Sequence, residues 1–188
     1  MLSKRREKCL EAIRQSGLDG VLYALGPNFQ YLSESHHCLW QRNAMNTFAP
    51  ISGASIMPEA LIYVNKEGKS TILTIPKHKD TMNTLLNDVV VSYMDQFEDE
   101  LTHIIDGKNI GIGKDCDQWI KETLSHIDET ITTVDTDTLF EDIRRIKDEY
   151  EIAHMKKLAQ FTDEAVMYVC KHLKPGMTMF EAERMIVD

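Results

Sequence analysis

Long apolar runs are missing from this sequence. No stretch approaches the roughly 20 apolar residues that cross a bilayer, so no membrane partner is expected. The opening MLSKRREKCLEAIRQSG has basic residues but no apolar segment behind them, which argues against a secretory signal. Cysteine is scarce. Cys9, Cys38, Cys116 and Cys170 are scattered, with no C-x-x-C pair among them. That spacing excludes a zinc ribbon and a dithiol redox motif. Isolated cysteines in a chain of 188 residues fit a reducing, cytoplasmic setting, where they pack as small apolar side chains. Positive charge is also in deficit: 21 Lys and Arg stand against 30 Asp and Glu, a formal net charge of −9. A nucleic-acid partner held through its phosphates is therefore not expected, because that affinity needs cations to displace counterions. The one basic cluster, Lys4, Arg5, Arg6 and Lys8, reads as the solvated face of a first helix.

What is present is an alternation of helical and extended patterns. Residues 2–16 place Leu2, Cys9, Leu10 and Ile13 on one side of a helix that Gly17 ends. VLYAL, from Val21 to Leu25, is a continuous apolar run between Gly20 and Gly26-Pro27, the pattern of a buried central strand. Asn28 is placed to cap a short helix over FQYLSE. ALIYV (60–64) and STILTI (70–75) form a hairpin around Asn65 to Gly68. Strands follow at 88–93, 109–113 and 130–134, and helices at 97–105 and 118–126. The fold class expected is α/β, a mixed β-sheet with flanking helices.

After Val134 the character changes to helix, from 138 to 147 and again from 148 to 173. Asp148 with Glu151, and Thr178 with Glu181, have the spacing of capping boxes that each open a new helix. Phe180, Met185 and Ile186 would give the last helix an apolar face with nothing after it to cover it. The chain is therefore expected to be a piece of a longer one. Residues 1–135 are expected to form the first domain, and 136–188 a linker helix with the first helices of a truncated second.

The stretch VDTDTLFEDIRRIKDEYEIAHMKKLAQFTDEAVMYVCKHLKPGMTMFEAE resembles the junction between the two domains of the creatinase, prolidase and aminopeptidase P superfamily. The likeness is carried by Asp135, Leu139, Arg144 through Lys147, Glu151-Ile152, Ala159, Thr162-Asp163 and Leu173 through Thr178. The first half, with GLDGVLYALGPNFQYLSE and the ALIYV hairpin, is similar to that superfamily as well. The resemblance implies a ribonuclease H-like creatinase amino-terminal domain followed by the start of a pita-bread domain. It implies a homodimer and, in the full-length parent, a metallopeptidase cleaving proline-containing peptides with a pair of divalent ions, Mn, Co or Zn. The ligands of that pair, two Asp, one His and two Glu, come later than this segment in the family. No catalytic residue, metal ligand or cofactor is therefore assigned to this chain, and alone it is expected to be inactive. Two alternatives stay open: a creatinase-like C–N hydrolase, and a non-catalytic binding or dimerisation module.

Residues 33–58 lack a period, and long aperiodic segments in compact domains are often functional. In the resemblance, the loop after the YLS-like helix reaches the partner subunit's active site and narrows access to it. Here that loop holds His36, His37, Trp40 and Arg42. The planar fork of Arg42 suits a substrate carboxylate, either histidine suits a peptide end, and Trp40 could wall a pocket. The plainer reading is a surface loop with a satisfied histidine pair. Adjacent histidines on an extended chain point apart, so His36-His37 does not read as a metal site. Gly111-Ile112-Gly113 lacks the third glycine of a phosphate loop and reads as a strand end.

Overall fold

The computed structural model describes residues 4–34, 60–85, 88–91, 96–113, 116 and 118–187. The chain divides into two compact units, Met1–Ile143 and Arg144–Asp188.

The first unit is built on a six-stranded sheet: β1 (Gly20–Ala24), β2 (Ala60–Asn65), β3 (Ser70–Thr74), β4 (Asp88–Val91), β5 (Asn109–Ile112) and β6 (Thr132–Asp135). Their order across the sheet is β4-β3-β2-β1-β5-β6. β2 runs antiparallel to both neighbours, while β1 with β5, β5 with β6 and β3 with β4 are parallel pairs. The sheet is therefore mixed, as expected, and β2 alone is reversed.

Side chains alternate across a pleated strand, and here the alternation sorts the core into two layers. Val21, Tyr23, Ala60, Ile62, Val64 and Ile72 face one side, against Cys9, Leu10 and Ile13 of α1 (Lys4–Gln15) and Phe29 and Leu32 of α2 (Pro27–Leu32). Met82 of α3 (Lys79–Met82) and Phe140 join that layer. Leu22, Ala24, Leu61, Tyr63, Leu73, Ile110 and Ile112 face the other side. There they meet Phe97 and Leu101 of α4 (Phe97–Ile104) and Ile120 and Leu124 of α5 (Gln118–Ile127). Helices on both faces explain why β1 reads as unbroken apolar sequence.

Several local expectations are corrected. Asn28 does not cap α2: Gly26 holds the N-cap position, Pro27 sits at the first helical position and Asn28 is buried inside the helix. Proline suits that position because its missing N–H had no intrahelical partner to lose. β6 starts two residues later than its β-branched run suggests. The hydroxyl and backbone N–H of Thr130 both donate to Asp128 Oδ1, at 2.7 and 2.8 Å, and the turn they close occupies the start of the run. Residues 138–147 are not helical throughout. Leu139 N–H turns back to Thr136 O at 3.1 Å, and only α6 (Glu141–Arg145) is α-helical.

The second unit contains α7 (Glu149–His172) and α8 (Met179–Val187). Both capping boxes are formed. Asp148 accepts from Glu151 N–H at 2.8 Å while Glu151 Oε2 accepts from Asp148 N–H at 3.0 Å. Thr178 and Glu181 make the same exchange at 3.2 and 2.7 Å. Gly176 takes a left-handed φ of 90° between the two helices. None of the 24 residues of α7 is buried.

Candidate functional site

The strands place one edge of the sheet at the centre of any functional reading. The carboxyl ends of β1, β3, β4, β5 and β6 all lie there, and β2 begins there. Chain order reverses between β1 and β5, the kind of switch point where open α/β sheets hold ligands. The segment 35–59 leaves α2 and rejoins the sheet at Ala60 on this same edge, where Ala24 pairs with Leu61. His36, His37, Trp40 and Arg42 belong to that segment and lie outside the described residues.

The switch point itself is packed. The Tyr23 hydroxyl donates to Thr136 O at 3.0 Å and lies 2.9 Å from Thr136 Oγ1, and its ring tilts against Phe140 at 5.8 Å. Burial pushes the Tyr23 hydroxyl pKa up, so it stays a neutral donor. Gly113 has no room for a side chain, since a Cβ there would lie 2.4 Å from the Tyr23 ring. At Gly111 a Cβ would come within 2.6 Å of Thr136. These two glycines exist for close packing within the sheet, in agreement with the strand-end reading. The Cys116 thiol rests on Leu22 O at 3.5 Å. Asp135 Oδ1 accepts from Asp137 N–H at 2.9 Å, closing the turn after β6.

The amino root of the 35–59 segment is held by α1. Arg6 is only 5% exposed and donates to Leu32 O at 3.3 Å and Gly68 O at 3.4 Å. Burial lowers its pKa, and the nearby Glu34 charge opposes that shift. Arg5 lies over the Tyr31 ring at 4.9 Å. Glu34 itself takes a left-handed φ of 54°, uncommon outside glycine. The basic cluster is thus not wholly a solvated face: Lys4 and Lys8 are exposed, whereas Arg6 is built into the core layer. The signal was available, because Arg6 stands three residues before Cys9 and four before Leu10 on the apolar side of α1. Cys9 beside it is inert, its thiol pKa pushed up to about 12 chiefly by burial.

The opposite edge of the sheet is a closed polar clasp. The Asp19 carboxylate accepts from Lys66 Nζ at 2.8 Å and from the backbone N–H groups of Lys108 and Asn109, both at 3.0 Å. Those bonds, Lys66 first, hold its pKa down at about 2. Asp106 accepts from the Tyr63 hydroxyl and Asn65 Nδ2, each at 2.7 Å. Every partner here ties one chain segment to another, and none points to a reacting group. Among the described residues, no group of three or more His, Cys, Asp or Glu comes together to hold a metal ion. The described residues therefore do not fit a divalent pair. Among the same residues no helix is long and apolar enough to cross a membrane.

No family model matches this sequence. Relatives are found by direct comparison. The Xaa-Pro dipeptidase of Pyrococcus horikoshii is 24% identical over 179 residues, which cover 94% of this chain and 44% of that protein. The crystal structure of the prolidase from Pyrococcus horikoshii superposes with a TM-score of 0.70 at 22% identity, covering 98% of this chain and 47% of that one. The chain has the prolidase–aminopeptidase P fold. It spans under half the length of these relatives, matching their amino-terminal part. The Xaa-Pro aminopeptidase structure from Streptococcus thermophilus shares the prolidase–aminopeptidase P fold over 75% of this chain and 96% of its own, with a TM-score of 0.52 at 18% identity.

Proposed function

We propose that this chain is the amino-terminal accessory unit of a Xaa-Pro peptidase-like metallohydrolase, and that it shapes substrate access to the active site of a partner subunit. On this reading residues 1–135 are the accessory domain, and 136–188 are a linker helix with the first helices of the catalytic domain. The segment carrying His36, His37, Trp40 and Arg42 is the access element. The polypeptide has no activity by itself, and the divalent pair belongs to the rest of the parent protein.

One observation carries the reading: prolidase structures cover nearly all of this chain while the chain covers about half of them. Two features add support. The 35–59 segment rejoins the sheet at its carboxyl edge, at Ala60, and Arg5 and Arg6 hold its amino root. The second unit also leaves large apolar side chains in water, among them Leu158, Phe161 and Phe180.

The test uses proline release from Xaa-Pro dipeptides. The 188-residue chain should release none, with or without Mn, and turnover by the purified chain would contradict the proposal. In a longer polypeptide carrying the catalytic half, Arg42→Ala should raise KM with little change in kcat, the pattern of lost ground-state binding. An unaltered specificity profile would return the segment to an ordinary surface loop.

A further inference from the structure

The end of α2 is closed by a residue from elsewhere in the chain. Phe29 O accepts from Ser33 N–H at 2.9 Å, and Gln30 O accepts from the Ser33 hydroxyl at 3.2 Å. Leu32 O instead accepts from Nη1 of Arg6, 26 residues earlier. Nη2 of the same guanidinium donates to Gly68 O, 62 residues after Arg6. Two nitrogens of one planar, rigid group thus bind two carbonyls from distant segments. That fixes the separation of the carbonyls, which a single ammonium on a flexible stem does not do.

The β2–β3 turn is a firm reference for the other arm of the fork. Gly68 N–H donates to Asn65 O at 3.0 Å, and Lys69 N–H donates to Asn65 Oδ1 at 2.8 Å. Arg14 Nε donates to Lys66 O at 2.8 Å, so α1 grips the same turn at a second point. Lys66 Nζ reaches Asp19, and Asn65 Nδ2 reaches Asp106. What the fork holds against this reference is the step to Glu34, the last described residue before 35–59. Its left-handed φ of 54° is uncommon for a long side chain and persists where the surroundings impose it. The Glu34 carboxylate and the Arg6 charge attract one another. Filling the space under α2 does not require a charge. An apolar side chain of similar volume does that without the desolvation that burying a guanidinium costs.

We propose that Arg6 and Glu34 are positioning residues: the Arg6 fork fixes the end of α2 against the β2–β3 turn, and with it the left-handed step at Glu34 that sets the direction in which the chain leaves the helix. The inference rests on the access reading given under the proposed function, and it requires no contact between either residue and a substrate.

The test compares three positions in a longer polypeptide that carries the catalytic half, with Xaa-Pro dipeptides as substrates. Arg6→Met and Glu34→Gly should each raise KM about fivefold and leave kcat within about twofold, since misplacement ahead of the chemical step removes ground-state binding. Glu34→Asn should recover most of the KM lost in Glu34→Gly, because asparagine accepts the left-handed conformation while glycine settles on no single one. A merely structural role would lower the unfolding midpoint without separating KM from kcat. In the 188-residue chain, Arg6→Met should also speed amide exchange at Ser33 and leave the amides of β1 protected. Arg42→Ala serves as the reference. If it raises KM while Arg6→Met and Glu34→Gly do not, the positioning proposal is overturned and the access reading survives. If none of the three raises KM, the access reading fails and the proposal goes with it. A fall in kcat at constant KM, or equal behaviour of glycine and asparagine at position 34, overturns it as well. Should Arg6→Met fail to fold, the comparison of Glu34→Gly with Glu34→Asn decides.

Discussion

The two units of this chain differ in what makes their helices form. In Met1–Ile143 the helices are short and packed: α1 has buried Cys9, Leu10 and Ile13, and its neighbour strands are wholly inside. In Arg144–Asp188 the long helix α7 buries nothing, and Met179 at the start of α8 is 91% exposed. α7 is held instead by its own sequence. A complete capping box opens it, Gln160 bonds Glu164 one turn on at 3.0 Å, and Lys171 and His172 stand at its carboxyl end, where the dipole favours positive charge. Its 24 residues exceed the roughly 12–15 below which an isolated helix is marginal. One unit is shaped by tertiary burial, the other by local chemistry.

Truncation of matched leucines is the sharpest way to break that contrast. Leu61 is fully buried, while Leu158 is 63% exposed. Leu61→Ala should cost about 3 kcal/mol, the sum of lost transfer energy and a cavity. Leu158→Ala should stay within about 0.5 kcal/mol, as surface substitutions do. Urea unfolding of the two variants measures both. Equal losses would mean that Leu158 is covered in solution, and the contrast would fall.

Acid is a gentler probe of the first unit. The Asp19 clasp holds a carboxylate pKa near 2, below its ordinary value. Such a group stabilises the fold fully above the unfolded pKa, and that contribution is lost as pH falls from about 5 toward 2. Because the side chain is partly open to solvent, screening reduces the effect to about 1 kcal/mol. Asp19→Asn should remove that part of the pH dependence, read as a flatter plot of unfolding midpoint against pH between 5 and 2. An unchanged slope would show that the clasp adds nothing net.

Legibility in the sequence follows the same division. β1, β2 and β3 were readable because both kinds of signal agree there: apolar runs bounded by Gly20, Gly26-Pro27 and the Asn65 to Gly68 turn. α7 and α8 were readable from their caps alone. The misses lie where two local signals compete. At Thr130 a β-branched residue uses its hydroxyl to close a turn on Asp128, so strand propensity loses. At Asn28 a good capping side chain is overruled by Gly26-Pro27, which already start the helix. At Arg6 charge suggested solvent while helical spacing placed it on the packed side, and spacing won because two backbone carbonyls were there to receive the guanidinium. The candidate site was readable only as an aperiodic stretch with chemically able residues. Its anchors were not, since nothing in the segment itself points to α1.

The smallest expected effect tests whether the two units are separate. Asp148→Ala removes the acceptor for Glu151 N–H and strands the reciprocal bond from Asp148 N–H to Glu151. On a helix without buried contacts the cost should sit at the low end for a lost cap, about 0.5 kcal/mol. It should appear as faster amide exchange at Tyr150 through Ala153 and a slight loss of helicity. The unfolding midpoint of the first unit should not move, because none of its core residues depends on that cap. A midpoint that falls together with the exchange protection would mean that α7 stabilises the sheet domain. The helix would then belong to the same cooperative fold, and the division by burial would describe surface area only.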